Sequence, residues 1–163
     1  MIESTLAWLE ASALAEALRG LGIWTYGLVN LGHILGIATL FGAVLLLDLR
    51  LLGAWRSIPV ATIARPTVAL AAVGFVLAIG SGVMMLSFNA TEYLGNPFFY
   101  IKIPVIVLGL VNVIVIQRLG AWRRAIAGQP ARGRDPIVLP AAGALSLVIW
   151  LTVLTCGRMI GYW

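Results

Sequence analysis

The chain has 163 residues, of which only 10% are charged, against about 25% in an ordinary soluble domain. Its mean hydropathy is +1.03. Four apolar runs of about 20 residues, each able to cross a ~30 Å hydrocarbon core, leave no room for a separate soluble domain. The net charge of +5 suits a membrane surface or nucleic acid, and with four spans we expect the lipid bilayer and no nucleic acid. The single cysteine, Cys156, excludes an intramolecular disulfide and a two-cysteine metal motif.

Residues 1–20 are too polar to span a membrane and predict an amphipathic helix lying flat at the interface. Leucines recur near one helical face, and Trp8 is expected at headgroup depth. Ser4 or Thr5 is the candidate N-cap. The start of the chain is acidic, so we expect no cleavable signal peptide.

Four membrane spans follow, at about residues 23–47, 67–88, 98–117 and 137–156, which predicts an all-α four-helix transmembrane bundle in one domain, 1–163. Pro66 is expected at the start of the second span and Pro97 at the start of the third, because proline suits the first helical turn. The loop between the second and third spans is short.

The arginines predict the orientation of the bundle. Eight of the eleven basic residues lie in the first and third loops, namely Arg50, Arg56, Arg65, Arg118, Arg123, Arg124, Arg132 and Arg134. The positive-inside rule therefore places both loops in the cytoplasm and both termini outside. The expected location is a bacterial inner membrane.

Small residues four apart predict where the helices approach one another, because lipid gives helices no hydrophobic reason to associate. The spacings are Gly32–Gly36 and Ala38–Gly42 in the first span, Ala78–Gly82 in the second, and Gly157–Gly161 near the end.

The most informative polar residue is His33, the only histidine. Tyr26, Asn30 and His33 recur at i, i+4 and i+7 and therefore share one face of the first span. A polar stripe should face the bundle interior, because unsatisfied polar groups in hydrocarbon cost several kcal/mol. Two interpretations remain open. In the first, His33 is a neutral side chain hydrogen-bonded within the bundle, for example to Asn112. In the second, it ligates haem iron or another metal, contacts a quinone or carries a proton.

The haem b interpretation needs a second axial ligand. A symmetric dimer would supply His33 twice, and Met84 or Met85 is the candidate within one chain. The same methionines equally suit gap-filling in the packed interior.

Two cations, Lys102 and Arg158, lie near the outer ends of the third and fourth spans. They are either interfacial anchors or a pair that holds an anionic ligand. Asn112, deeper in the third span, is expected to face the interior. Asp48, at the cytoplasmic end of the first span, is expected to form a structural lock with Arg118 or Arg65. One histidine and one cysteine are too few for tetrahedral zinc.

Several stretches resemble an uncharacterised family of small bacterial inner-membrane proteins that carries a domain-of-unknown-function label, more distantly similar to copper-resistance D type membrane proteins. These stretches are Leu31-Gly-His-Ile-Leu-Gly36, Asp48-Leu-Arg-Leu-Leu-Gly53, Asn96-Pro-Phe-Phe-Tyr-Ile-Lys102, Ser146-Leu-Val-Ile-Trp150 and Gly157-Arg-Met-Ile-Gly-Tyr162. The resemblance implies a four-helix membrane bundle and brings no established activity. The chain lacks the histidine and methionine clusters that a copper importer requires.

We therefore expect a non-enzymatic subunit or accessory protein that associates with itself or with a larger membrane complex. The alternative is an electron-transfer protein that binds haem b or a quinone through His33, with Lys102 and Arg158 near the anionic groups.

Overall fold

A computed structural model describes residues 2–163, and this part of the chain contains helices and no strand. Seven α-helices occur in it: α1 (Ile2–Glu10), α2 (Ala13–Gly20), α3 (Trp24–Leu52), α4 (Val60–Phe88), α5 (Pro97–Arg118), α6 (Gly120–Ile126) and α7 (Asp135–Met159). Short 3₁₀ helices cover Ala90–Tyr93 and Ile160–Tyr162. The predicted all-α class is confirmed.

Helices α3, α4, α5 and the segment Asp135–Tyr162 are each long and apolar enough to cross a membrane, as expected of a helical membrane bundle. Both α3 and α4 have 29 residues, or about 43 Å at 1.5 Å per residue, which exceeds a ~30 Å hydrocarbon core. Their ends therefore extend past the apolar slab or the helices tilt.

Of the two prolines predicted to begin a helix, one does so and the other lies inside a helix. Pro97 begins α5, as predicted. Pro66 lies inside α4, which already begins at Val60. Beside it, the Thr67 hydroxyl donates to the carbonyls of Ile63 and Ala64 at 2.7 and 3.2 Å. Pro66 offers no N–H to the Thr62 carbonyl four residues earlier, and the two hydroxyl bonds go to other carbonyls, yet α4 stays helical from Val60 to Phe88.

The chain divides into two compact units. The first comprises residues up to 40 together with 72–96, and the second comprises residues 41–71 together with 97–163. Each unit therefore contains one part of α3 and one part of α4.

The first unit is held by a close approach of the α3 and α4 backbones. A Cβ added at Gly74 would lie 2.4 Å from the amide nitrogen of Leu40 and 2.8 Å from the carbonyl oxygen of Gly36. A Cβ added at Gly36 would lie 2.6 Å from the amide nitrogen of Ala78. These distances leave no space for a side chain, so glycine is required at both positions.

The predicted small-residue spacings are used only in part. Gly36, Ala78 and Gly82 lie at contacts of the first unit, whereas a Cβ at Gly32 or Gly42 would meet nothing within 4 Å. Gly74, which belongs to none of the predicted spacings, makes the tightest contact.

The N-terminal segment is two helices and not the single helix predicted for residues 1–20. The break falls at Ser12, whose hydroxyl donates to the Leu9 carbonyl at 2.6 Å and accepts from the Ala15 amide at 3.3 Å. Ser12 is therefore the N-cap of α2, and it ends the preceding helix because its hydroxyl competes for backbone groups.

Two side chains connect these N-terminal helices to the end of α4. The Arg19 guanidinium donates to the carbonyls of Ser87 and Phe88 and to that of Glu10, so a cation occupies the negative end of the α4 dipole. The Glu10 carboxylate accepts from the Thr91 amide and hydroxyl, both at 2.8 Å.

The second unit is built on the pair α5 and α7. Gly109 of α5 lies under Trp150, whose Cζ2 would be 3.1 Å from a Cβ added at the glycine. Gly143 of α7 lies against Asp48, whose carbonyl oxygen would be 3.2 Å from a Cβ added there. The third predicted loop contains α6, which is joined to the start of α7 by the Arg124–Asp135 ion pair at 2.6 Å.

We predict that Gly74→Ala destabilises the protein by about 1–3 kcal/mol, because the new methyl group overlaps the α3 backbone. Gly80→Ala is the matched control in the same helix, since a Cβ there meets nothing within 4 Å, and its effect should be neutral or stabilising by up to about 1 kcal/mol. The free energy of unfolding in mixed micelles, followed by circular dichroism, distinguishes the two variants. Equal stability of both would contradict the close approach.

We also predict that acid loosens α1. Hydrogen bonds from the Thr91 backbone amide and then its hydroxyl hold the pKa of Glu10 below its ordinary value of 4.5. A carboxyl with a lowered folded-state pKa contributes stability above its unfolded pKa and loses it as the pH falls through the folded pKa. Amide exchange of α1, corrected for intrinsic rates, should therefore accelerate as the pH falls through the folded-state pKa of Glu10. Glu10→Gln should remove this pH dependence, and Glu3→Gln should leave it intact.

Candidate functional site

His33 lies on α3 and contacts α4 in the first unit. Its Nδ1 is 2.9 Å from the Ala78 carbonyl oxygen and 3.1 Å from the Ser81 hydroxyl oxygen. The Ser81 hydroxyl itself donates to the Leu77 carbonyl at 2.5 Å. A carbonyl can only accept, so we assign the proton to Nδ1, which donates to Ala78 and also to the free lone pair of Ser81.

The imidazole ring lies against a glycine of α4. A Cβ added at Gly82 would be 3.1 Å from His33 Cε1 and 3.5 Å from Nδ1. Ala78, Ser81 and Gly82 recur at the spacing of one helical face, and together they form the surface that receives the ring. The expectation that His33 turns toward a neighbouring helix is confirmed, and its bond partners are on α4.

The residues predicted to lie near His33 differ in their exposure and in their contacts. Tyr26 is exposed and contacts the Phe88 ring edge-on, with 5.3 Å between centroids. Asn30 is half-buried. Asn112, proposed as a hydrogen-bond partner of His33, has its Nδ2 3.5 Å from the Ala142 carbonyl oxygen instead.

Met84 does not share the α4 face that receives the ring. It lies two residues past Gly82, and at 100° per residue that turns its side chain well away from the His33 side. Met85, seven residues past Ala78 and four past Ser81, is on the receiving face. Along a regular α-helix, therefore, Met85 shares the face of α4 that receives the ring, and Met84, the methionine favoured from the sequence, does not.

The second unit buries two side chains that carry polar atoms. Asp48 and Trp150 are each 4% exposed, and the Ser146 side chain faces the Asp48 carboxyl. Within residues 2–163, Asp48 Oδ2 and Trp150 Nε1 have no hydrogen-bond partner. The predicted ion pair of Asp48 with Arg118 or Arg65 is wrong, because within residues 2–163 the carboxyl enters no ion pair and faces Ser146 of α7.

One signal for this group was present in the sequence. Gly143, Ser146 and Trp150 are spaced i, i+3 and i+7, so they share one face of α7, and the two hydrogen-bonding members of the set must point to other helices in lipid. The spacing does not show that Asp48 of α3 lies opposite this face of α7.

The two cations near the outer ends have separate surroundings. Lys102 Nζ would be 3.2 Å from a Cβ added at Gly157, so its ammonium lies on α7. Arg158 is exposed, donates to the Tyr162 hydroxyl and lies over that ring, 4.6 Å from its centroid. Arg158 therefore has an aromatic partner in the 3₁₀ helix that follows α7.

His33, Asn112 and Arg158 each take part in hydrogen bonds. In the part of the chain that the structure describes, no three histidine, cysteine or acidic side chains are grouped so that they could hold a metal ion. His33 alone presents an imidazole, and its Nδ1 is bonded to α4.

Comparison with known proteins identifies a family whose function is unknown. No curated protein and no solved structure matched the chain. A family model described as a family of unknown function, DUF6644, matches residues 5–163. This agrees with the predicted membership of an uncharacterised family, while the likeness to copper-resistance proteins stays a prediction. Because the match covers nearly the whole sequence, the chain belongs to DUF6644, a family of unknown function.

Proposed function

We propose that the protein is a non-enzymatic subunit or accessory protein that associates, through open glycine positions on its helices, with copies of itself or with a larger membrane complex. The observation that carries the proposal is the open backbone at Gly32 of α3, where an added Cβ would meet nothing within 4 Å. Close backbone approach at small residues is a main source of helix association in lipid.

The proposed location is a bacterial inner membrane, with the two arginine-rich loops in the cytoplasm and both termini on the outer side. Four helices of sufficient length and hydropathy support membrane insertion. The orientation rests on the arginine distribution and the positive-inside rule.

A second candidate is a protein that binds haem b or a quinone through His33. The donation from Nδ1 to the Ala78 carbonyl favours it, because metal-binding histidines commonly donate their other ring N–H to a backbone carbonyl.

We predict that the protein, extracted into nanodiscs directly from its membrane, has a native mass above that of one chain, either as a multiple or with a second protein. Gly32→Ile should reduce this mass to one chain, because a branched side chain prevents backbone approach. Leu31→Ile, a neighbouring position that is exposed, is the matched control and should keep the assembly. A wild-type mass of one chain would refute the proposal.

The His33 bond gives the test that separates the first candidate from the haem b form of the second. Under the first, the purified protein has no Soret band, and His33→Ala lowers the free energy of unfolding by about 1 kcal/mol, the size of an interhelical hydrogen bond in a membrane. Asn30→Ala, on the same predicted stripe, should change it by less than about 0.5 kcal/mol. A Soret band that disappears in His33→Ala would replace the first candidate with the second.

A further inference from the structure

An open cleft of about 680 Å³ lies in the second unit, where α3 ends, α4 begins and α6 meets the start of α7. One part of its lining is apolar, including Leu51, Pro136 and Leu139. The other part carries three guanidinium groups and one carboxylate, from Arg50, Arg56, Arg124 and Asp135. The cleft is therefore amphipathic, with cations beside an apolar wall.

The charges of the cleft are only partly neutralised within the chain. Asp135 accepts two hydrogen bonds from Arg124, at 2.8 and 2.6 Å, and this pair cancels one positive charge. Arg50 donates its Nε to the Ile58 carbonyl at 2.8 Å, which neutralises nothing. Two full positive charges, on Arg50 and Arg56, thus remain at the cleft.

Arg56 is the cation best placed for a ligand. Its side chain is exposed and, within residues 2–163, enters no ion pair or hydrogen bond. Its Nε and Nη2 lie beside Gly53, 3.1 Å from the position of an added Cβ, where the backbone has a φ of +108°. Gly53 turns the chain at the end of α3 and, having no side chain, leaves room for the Arg56 guanidinium at the cleft.

Two tryptophans are sequence neighbours of cleft residues, as expected of a site at the depth of lipid headgroups. Trp55 is 49% exposed in the loop next to Arg56, and Trp122 is half-buried in α6. Tryptophan is enriched where the apolar slab meets water. Trp55 also has a φ of +49°, a left-handed conformation that costs a non-glycine residue roughly 1–2 kcal/mol. Strain of this kind is concentrated at binding sites.

We propose that this cleft binds one anionic phospholipid of the adjacent leaflet, with the phosphodiester at Arg56 and Arg50 and the upper acyl chains along Leu51 and Leu139. A guanidinium offers paired donors that match phosphate oxygens. Basic pockets between membrane helices bind anionic headgroups by the same combination of charge and apolar wall. The site is independent of any association through Gly32, because it lies in the other unit.

The test uses the full-length protein in detergent, titrated with phosphatidylglycerol or with phosphatidylcholine of identical chains, and counts retained lipids by native mass spectrometry. Wild type should retain one phosphatidylglycerol in preference to phosphatidylcholine. Arg56→Gln should weaken that retention about fivefold, the equivalent of the ~1 kcal/mol that one basic residue contributes at a membrane surface. Arg65→Gln is the matched control, an exposed arginine of the same unit outside the cleft, and should bind as wild type does.

Three outcomes would overturn the proposal. Equal weakening in Arg56→Gln and Arg65→Gln would mean that the charge acts diffusely over the surface. Equal retention of both lipids would remove the phosphate preference. Displacement of phosphatidylglycerol by excess inorganic phosphate, with no contribution from the acyl chains, would assign the site to a free phosphate compound instead of a lipid.

Discussion

The contact between the backbones of α3 and α4 is the constraint from which the rest of the first unit follows. Gly36 and Gly74 lie so close to the opposing chain that a methyl group at either position would overlap main-chain atoms. Because lipid supplies no hydrophobic force between helices, dispersion contacts of this kind and hydrogen bonds must hold them together. The register set at the glycines also carries His33, one turn before Gly36, to the carbonyl of Ala78. The histidine bond is therefore a consequence of the glycine contact.

The second unit is assembled by a different principle. There, a large aromatic side chain fills the space that a glycine leaves, as Trp150 does over Gly109. The Arg124–Asp135 pair fixes α6 to the start of α7. This arrangement leaves Asp48 Oδ2 and Trp150 Nε1 buried without a partner among residues 2–163. Polar groups of this kind are costly in a membrane protein and are the positions where function is first sought.

Composition and hydropathy were sufficient to predict the all-α class and the four apolar helices, because insertion depends on sums over about 20 residues. They also indicated that His33 turns inward. Local events were predicted less well. The break at Ser12 depends on a hydroxyl that competes with the helix, and α4 continues past Pro66. The break was decided by the hydrogen bonds of one side chain.

The sequence did not predict which residues of different helices lie opposite one another. Spacing along one helix identifies a face, but it does not say which residue of another helix lies opposite. For this reason Gly74 was missed, although it lies four residues before Ala78 and makes the closest contact. For the same reason Asp48 was assigned to an arginine, whereas its neighbour is Ser146 of α7.

The functional proposals depend on this description of which surfaces are closed and which are open. Gly36 and Gly74 are closed by their own chain, whereas Gly32 and the arginine-lined cleft are accessible to a partner or a lipid. The most direct test of the account is solid-state NMR of the protein in bilayers, with ¹³C-labelled glycine, alanine and leucine. The account predicts short-range cross-peaks from Gly36 to Ala78 and from Gly74 to Leu40. Spectra that contain only contacts within each helix would contradict it.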